Sequence, residues 1–236
     1  MAAANMQQPR VIFAHGLESG PKGSKARYLA EQFETSTPDL QMSAYNPLKA
    51  SSPMRIYSIY LAAGVALGAI LPSPGRYYVG AGWLALSVFV LRWSMFRSLA
   101  RCAGILAAEI ELFRPDVCVG SSWGGAVLLR CISDGAWSGP SVLLAPAIAA
   151  SGSWGWVWPS WSPTVPLGTA QRCLVVQGSQ DDTVPASTVQ EWSRKVGIRC
   201  LVLQDGDHRL NDAVVKTGML QRLVNDVHTG TWSMEH

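Results

Sequence analysis

Charge is what this sequence has least of. Charged residues fill 15% of its 236 positions and hydrophobic ones 48%, against roughly 25% charged in an ordinary soluble domain. That balance excludes a disordered tail or a charge-laced coiled coil. Acidic residues are missing altogether between Asp39 and Glu109, a stretch that holds Lys49, Arg55, Arg76, Arg92, Arg97 and Arg101. The net charge of +3 therefore belongs to one segment, and a basic balance so local argues against nucleic acid as a partner. Cysteine pairing is also lacking. Cys102, Cys118, Cys131, Cys173 and Cys200 are odd in number and never spaced CxxC, which excludes a disulfide framework and a zinc site and gives no reason to expect a metal or other cofactor. Residues 1–10 are polar and run straight into Val11-Ile12-Phe13, leaving no room for the apolar core of a secretory signal. The cysteines read as reduced core residues in a protein facing a reducing compartment.

What is present alternates. Short runs rich in Val, Ile and Leu at Arg10 to His15, Leu40 to Tyr45, Val117 to Ser121, Ser141 to Ala145, Cys173 to Gln177 and Cys200 to Gln204 read as strands buried on both faces. Helical spacing lies between them. Ala26, Leu29, Ala30 and Phe33 share a face behind a possible cap at Ser24, Thr188 and Glu191 form a possible capping box, and apolar stripes run from Leu99 to Phe113 and from Val215 to Val227. Strand and helix in alternation predict a mostly parallel α/β sheet of about six strands with helices on both faces.

The motif that carries chemistry is Gly120-Ser121-Ser122-Trp123-Gly124-Gly125, a GxSxG with a strand pattern before it and a helix pattern after it. In such an elbow a serine is held in a strained turn, and the flanking glycines leave room for the neighbouring backbone. Ser122 is the candidate nucleophile and Ser121 a packing neighbour. A serine hydroxyl needs a base, and His208, in Gly206-Asp207-His208 after the last strand, is better positioned than His15, His228 or His236. The acid comes from Gly178-Ser179-Gln180-Asp181-Asp182. Either aspartate fits sterically; Asp181 is preferred because it lies three residues past the glycine that closes the strand. The chain order serine, aspartate, histidine is that of α/β-hydrolases. Backbone N–H groups of Leu17 and Trp123 are the candidate oxyanion donors, with His15 holding the Leu17 loop.

His15-Gly16-Leu17-Glu18-Ser19-Gly20-Pro21, followed by Ser24-Lys25-Ala26, resembles the HGFxSSPxSxKA opening of the YqiA-like esterases. The elbow and Gly206-Asp207-His208 are similar to that family's GSSLGG and GDH. Leu17 stands where the family has Phe, Gly20 and Gly23 where it has Ser, and Trp123 where it has Leu. The resemblance implies an α/β-hydrolase fold and a carboxylester or acyl-thioester hydrolase with Ser122, Asp181 and His208 as triad.

One segment falls outside that pattern. Residues 53–94 divide the expected hydrolase domain into 1–52 and 95–236, and from Ile56 to Leu91 the only charge is Arg76. Two apolar runs, Ile56 to Leu71 and Tyr77 to Leu91, flank the turn signal Pro72-Ser73-Pro74-Gly75. Each would be roughly 24 Å long as helix, a little under the roughly 30 Å hydrocarbon layer. Tyr57, Tyr60, Tyr77, Tyr78 and Trp93 collect where a hairpin would meet the interfaces, basic residues flank its root, and Gly64 and Gly68 have GxxxG spacing. These features predict a membrane hairpin with the catalytic domain on the cytoplasmic side. A soluble lid over the site, in a cytoplasmic protein, and a buried dimer interface are the alternatives, the lid being disfavoured because the runs are apolar all round. Trp154, Trp156 and Trp158, in the loop after the fourth strand, are expected to wall an acyl pocket, to rest at a bilayer interface or to pack that loop. The expectation is a serine hydrolase acting on esters or thioesters of hydrophobic acyl groups; a non-catalytic membrane-tethered receptor or scaffold on the same fold is the alternative.

Overall fold

The apolar runs do form a sheet. In the computed structural model, which describes residues 8–17, 19–150, 158 and 161–231, six parallel strands lie in the order β2-β1-β3-β4-β5-β6. They are β1 (Arg10–Ala14), β2 (Glu34–Ser36), β3 (Val117–Ser121), β4 (Ser141–Leu144), β5 (Cys173–Gly178) and β6 (Arg199–Leu203). Their side chains alternate between two cores, as a strand period of two requires. Val11, Phe13, Val117, Val119, Val142, Leu144, Leu174 and Val176 face α1 (Ser24–Gln32) and the C-terminal helix over Met219–Thr229. Ile12, Ala14, Cys118, Leu143, Cys173 and Val175 face the opposite layer, built from Leu99, Cys102 and Leu106, the elbow helix over Trp123–Ser133, and the helix over Ala186–Val196. In chain order the helices are α1, α2 (Met54–Ile70), α3 (Gly75–Phe113), α4 (Trp123–Ser133), α5 (Leu167–Ala170), α6 (Ala186–Val196) and α7 (Met219–Thr229), with a π-helical turn at Asn211–Val215 before α7. All five cysteines are free, four of them buried, and burial pushes the Cys131 thiol up to about 12 and Cys173 to about 11. They are inert packing groups at neutral pH.

Three local expectations need correction. The second strand is the short polar edge Glu34–Ser36, paired with β1 from Arg10 to Ile12, whereas Leu40 to Tyr45 is an irregular crossing. Its Leu40, Met42 and Ala44 are buried at a spacing of two, which imitates a strand, although Ser43 between them is buried as well. But Asp39 turns the chain by accepting from the Gln41 N–H at 2.9 Å, and Gln41 sits at φ 54°, a left-handed conformation that breaks a ladder. Ser24 and Thr188 are not caps: α1 and α6 start behind Gly23 and Pro185, without a side-chain cap bond. The run Tyr77 to Leu91 and the helical stripe from Leu99 to Phe113, expected as separate helices, form one that begins at Gly75 and runs 39 residues without interruption, because nothing between Leu91 and Met95 disfavours helix.

α2 and the first half of α3 form the apolar hairpin. Tyr60 and Trp83 stack at 4.6 Å between ring centroids, the Tyr60 hydroxyl donates to the Trp83 carbonyl, and the Trp83 indole N–H donates to Tyr60 O at 3.1 Å. Gly64 makes room for that indole, since a Cβ there would lie 2.3 Å from Trp83 Nε1, whereas Gly68 faces open space. The GxxxG spacing thus seats one ring rather than two close backbones. α2 buries none of its residues, and Ile59, Val65, Ile70, Leu84 and Phe89 are exposed. α3 is long and apolar enough to cross a membrane by length and composition.

Candidate active site

Every residue proposed for chemistry lies just past the carboxyl end of a strand. β3 ends at Ser121, and Ser122 reverses the chain at φ 53°, ψ −117° before α4 begins at Trp123. Only crowding on all sides holds a serine in that region. Ser122 N–H donates to Leu144 O at 2.8 Å, and its carbonyl accepts from Ala147 N–H at 3.0 Å. The glycines are there for want of space. A Cβ on Gly124 would lie 1.9 Å from Ala14 O, one on Gly120 2.7 Å from Gly124 O, and one on Gly125 3.0 Å from Pro146.

The structure brings Ser122, His208 and Asp181 together. Ser122 Oγ is 2.8 Å from His208 Nε2, and His208 Nδ1 is 2.8 Å from Asp181 Oδ2. The Asp181 carboxylate is fully occupied. Oδ1 accepts from Thr183 N–H at 2.9 Å and Val184 N–H at 2.7 Å, while Oδ2 accepts also from Gln177 Nε2 at 2.8 Å. Burial alone would raise its pKa, but the His208 contact and these backbone donors outweigh it and hold the carboxyl below the usual value. A carboxylate so held fixes Nδ1 as the protonated nitrogen and leaves Nε2 to accept from Ser122. Asp182 points elsewhere, accepting from Thr183 Oγ1 at 3.0 Å.

The Leu17 loop closes the other side. A Cβ on Gly16 would come within 3.4 Å of Ser122 Cβ, so the backbone leading to Leu17 rests on the serine. Among the described residues, neither the Leu17 nor the Trp123 amide N–H has a hydrogen-bond acceptor. His15 braces this loop as a neutral ring: Nδ1–H donates to Gly16 O at 2.9 Å and Nε2 accepts from Leu40 N–H at 3.3 Å, burial lowering its pKa.

Solved structures share this plan from end to end. A Xanthomonas campestris protein assigned to the hydrolases of the alpha/beta superfamily matches at TM-score 0.55 and 19% identity, covering 95% of this chain and 99% of its own. The ydeN gene product of B. subtilis matches at 0.57 and 12%, covering 93% and 98%. An alpha/beta hydrolase from Novosphingobium aromaticivorans matches at 0.52 and 12%, covering 94% and 90%. This chain has the α/β-hydrolase fold. No protein-family model matches the sequence, and no curated protein does, so the finer likeness to YqiA-like esterases rests on the sequence motifs alone.

In this chain the serine opens into a cavity of about 760 Å³. Leu17, Trp123, Ala147, Trp158 and Val184 supply apolar lining, and Ser19, Ser24, Lys25, Thr183, Arg209 and Asn211 polar lining. Trp123 is buried, its ring set edge-on to Trp158 at 5.3 Å, and Trp158 Nε1–H donates to Ala147 O at 3.1 Å. Trp158 therefore both lines the pocket and packs its loop. Trp154 and Trp156 lie outside the described residues. No residue of α2 or α3 lines the cavity. Among the described residues no three His, Cys, Asp or Glu side chains converge as metal ligands would.

Two side chains that sequence reasoning passed over support the site. Gln177 orients Asp181, as above. Lys25, buried on α1, donates from Nζ to Arg209 O at 2.5 Å and Asn211 Oδ1 at 3.0 Å, tying the segment after His208 to α1. Burial pushes its ammonium down to about 8, although Asp207 nearby favours the charge. The available signal was a lysine beside Ala26 and Leu29 on an otherwise apolar helix face.

Proposed function

We propose that this protein is a serine hydrolase that cleaves carboxylic esters or acyl thioesters of hydrophobic acyl groups through an acyl-enzyme on Ser122. The observation that carries this reading is the unbroken relay from Asp181 through His208 to a serine held at φ 53°. In the first half-reaction His208 Nε2 takes the Ser122 proton as Oγ bonds to the substrate carbonyl carbon. The resulting oxyanion is received by the Leu17 and Trp123 N–H groups. Its collapse breaks the bond to the alcohol or thiol leaving group, which receives the proton from His208. Water, deprotonated by the same nitrogen, then attacks the acyl-enzyme, and the carboxylic acid departs as Ser122 regains its proton. Asp181 holds the imidazole tautomer throughout. The apolar cavity walls favour an acyl group over a polar one.

The hairpin is proposed as a membrane anchor, with both its ends and the catalytic domain on the cytoplasmic side. Its outer apolar surface is exposed, basic residues flank its root, and it contributes nothing to the cavity lining, which disfavours a lid. A fluorophosphonate probe tests the chemistry. The detergent-solubilised full-length protein is expected to be labelled, and Ser122→Ala to escape labelling while keeping its circular dichroism spectrum. A folded wild type that takes no label would overturn the hydrolase reading in favour of a non-catalytic receptor or scaffold.

A further inference from the structure

The direction of α3 fixes where the hairpin leaves the domain. At its C-terminal end Phe113 lies under the Arg10 guanidinium at 4.3 Å, and Arg10 also donates to Arg114 O at 3.4 Å, so this end sits at the amino end of β1. Eleven residues earlier, Cys102 Sγ meets Leu40 O at 3.5 Å, and Leu40 N–H reaches His15, just past the carboxyl end of β1. Eleven helical residues rise about 16 Å, and a five-residue strand spans about 17 Å. α3 thus runs antiparallel to the strands, and its course toward Gly75 leads past their carboxyl ends. Ala103 O still meets Cys131 Sγ and Phe96 still lies against Arg130 of α4, and Met95 is a core residue, so the part that projects beyond the domain is the one before Ser94, with Gly75 about 30 Å beyond Met95.

Those carboxyl ends form the edge on which Ser122, Asp181 and His208 stand. The chain between β2 and α2 lies there as well: Tyr45 lines the cavity, Arg101 donates to Ala50 O at 2.8 Å, and Tyr45 and Leu48 are 70% and 88% exposed. Where α3 leaves the domain it carries the partly exposed Trp93, with the Arg97 guanidinium over its ring at 5.2 Å. An aromatic ring and cations at the hairpin root, on a stretch without a single carboxylate from residue 40 to 108, suit an anionic headgroup layer.

We infer that the hairpin docks the carboxyl edge of the sheet onto the bilayer surface, so that the cavity faces the leaflet and takes its substrate, a membrane-resident lipid ester, directly from it. The orientation follows from the course of α3; the substrate class rests on the hydrolase reading above.

Two measurements separate them. Full-length protein carrying Cys200→Ser and either Leu48→Cys or Leu112→Cys is labelled with a donor fluorophore and reconstituted into phosphatidylcholine–phosphatidylglycerol vesicles containing an acceptor-headgroup lipid. Leu112 is exposed and stands about 28 Å from Trp93 along α3, toward the far end of the domain. Energy transfer is expected to be at least about twice as efficient from position 48. Equal or reversed efficiencies, or protein that stays out of the vesicles, would overturn the docking, and no catalysis is needed to see it. In the same vesicles, hydrolysis of an embedded long-chain ester is compared with that of p-nitrophenyl acetate in solution, for the wild type and for a variant with flexible spacers inserted at both hairpin roots. The spacers are expected to slow the embedded substrate at least tenfold and leave the soluble one unchanged, its turnover serving as the proof of folding. An unchanged ratio overturns delivery from the leaflet. A wild type inactive on both esters overturns the hydrolase reading while the transfer data still decide the orientation, and they decide it too if the spacer variant does not fold.

Discussion

Exchanging one oxygen of Asp181 for nitrogen is the sharpest test of the relay. In Asp181→Asn the N–H groups of Thr183 and Val184, at 2.9 and 2.7 Å from Oδ1, require the acceptor oxygen to stay where it is. The new NH2 group must then occupy the Oδ2 position, facing both His208 Nδ1 and Gln177 Nε2 at 2.8 Å. Gln177 cannot relieve the second clash by flipping, because its Nε2 also donates to Val184 O at 3.2 Å and a flip would set two acceptors against each other. His208 Nδ1 also lies 3.0 Å from Oδ1, but that oxygen already accepts from Thr183 and Val184, so the imidazole relieves the first clash best by moving its proton to Nε2, the tautomer that cannot accept from Ser122. Loss of the productive tautomer is expected to lower kcat by about 10³- to 10⁴-fold, or about 4–5 kcal/mol of transition-state stabilisation. Asp182→Asn, which disturbs only a bond to Thr183 Oγ1, is expected to stay within about threefold of wild type. The assay is p-nitrophenyl butyrate hydrolysis beside the rate of fluorophosphonate labelling, with melting curves to confirm folding. A folded Asp181→Asn enzyme that loses less than about tenfold, or an Asp182→Asn enzyme that loses more, would refute the assignment.

Two stability measurements probe the scaffold. Gly124→Ala puts a Cβ 1.9 Å from Ala14 O and is expected to cost more than about 4 kcal/mol, lowering Tm by roughly 10 °C or preventing folding. Gly104→Ala, in the interior of α3 with nothing within 4 Å, is expected to raise stability by about 0.5–1 kcal/mol. Lys25 has a distinct pH signature. Its pKa is lowered to about 8 in the folded protein against about 10.4 in the unfolded chain, so between these values the unfolded state binds more protons and stability must rise with pH. Relative to Lys25→Met, denaturant melts of the wild type are expected to gain up to roughly 3 kcal/mol from pH 8 to 10.5; a flat difference would show that the ammonium carries no burial penalty.

Much of the sheet could be read from the sequence because central parallel strands consist of little besides apolar residues, and β1, β3, β4 and β5 stood out for that reason; β6, a half-buried edge, stood out by its Leu201-Val202-Leu203. The remaining strand, Glu34–Ser36, is a polar edge of three residues and leaves no hydrophobic signal, while the apolar spacing of Leu40, Met42 and Ala44 offered a better pattern in the wrong place. Serine, histidine and aspartate could be located because each follows a strand in the expected order. Lys25 and Gln177 could not, since a lone polar residue in an apolar run marks no function until its partner from another loop is seen. The start of α3 was misjudged because pattern reading registers the change from all-round apolar to one-sided apolar near Met95, and the backbone does not.

That uninterrupted helix makes the hairpin and the core one mechanical object. Leu99, Cys102 and Leu106 are core residues, Trp83 belongs to the hairpin, and no hinge lies between them. A force on the hairpin is carried down a single rod into the layer beneath β1 and β3, so a pull on the hairpin loads the core of the domain directly. Synthesis obeys the same constraint. The hairpin precedes β3 in the chain, so the strand leading to Ser122 is made only after it, and the sheet must be completed against the second half of a helix whose first half is already made.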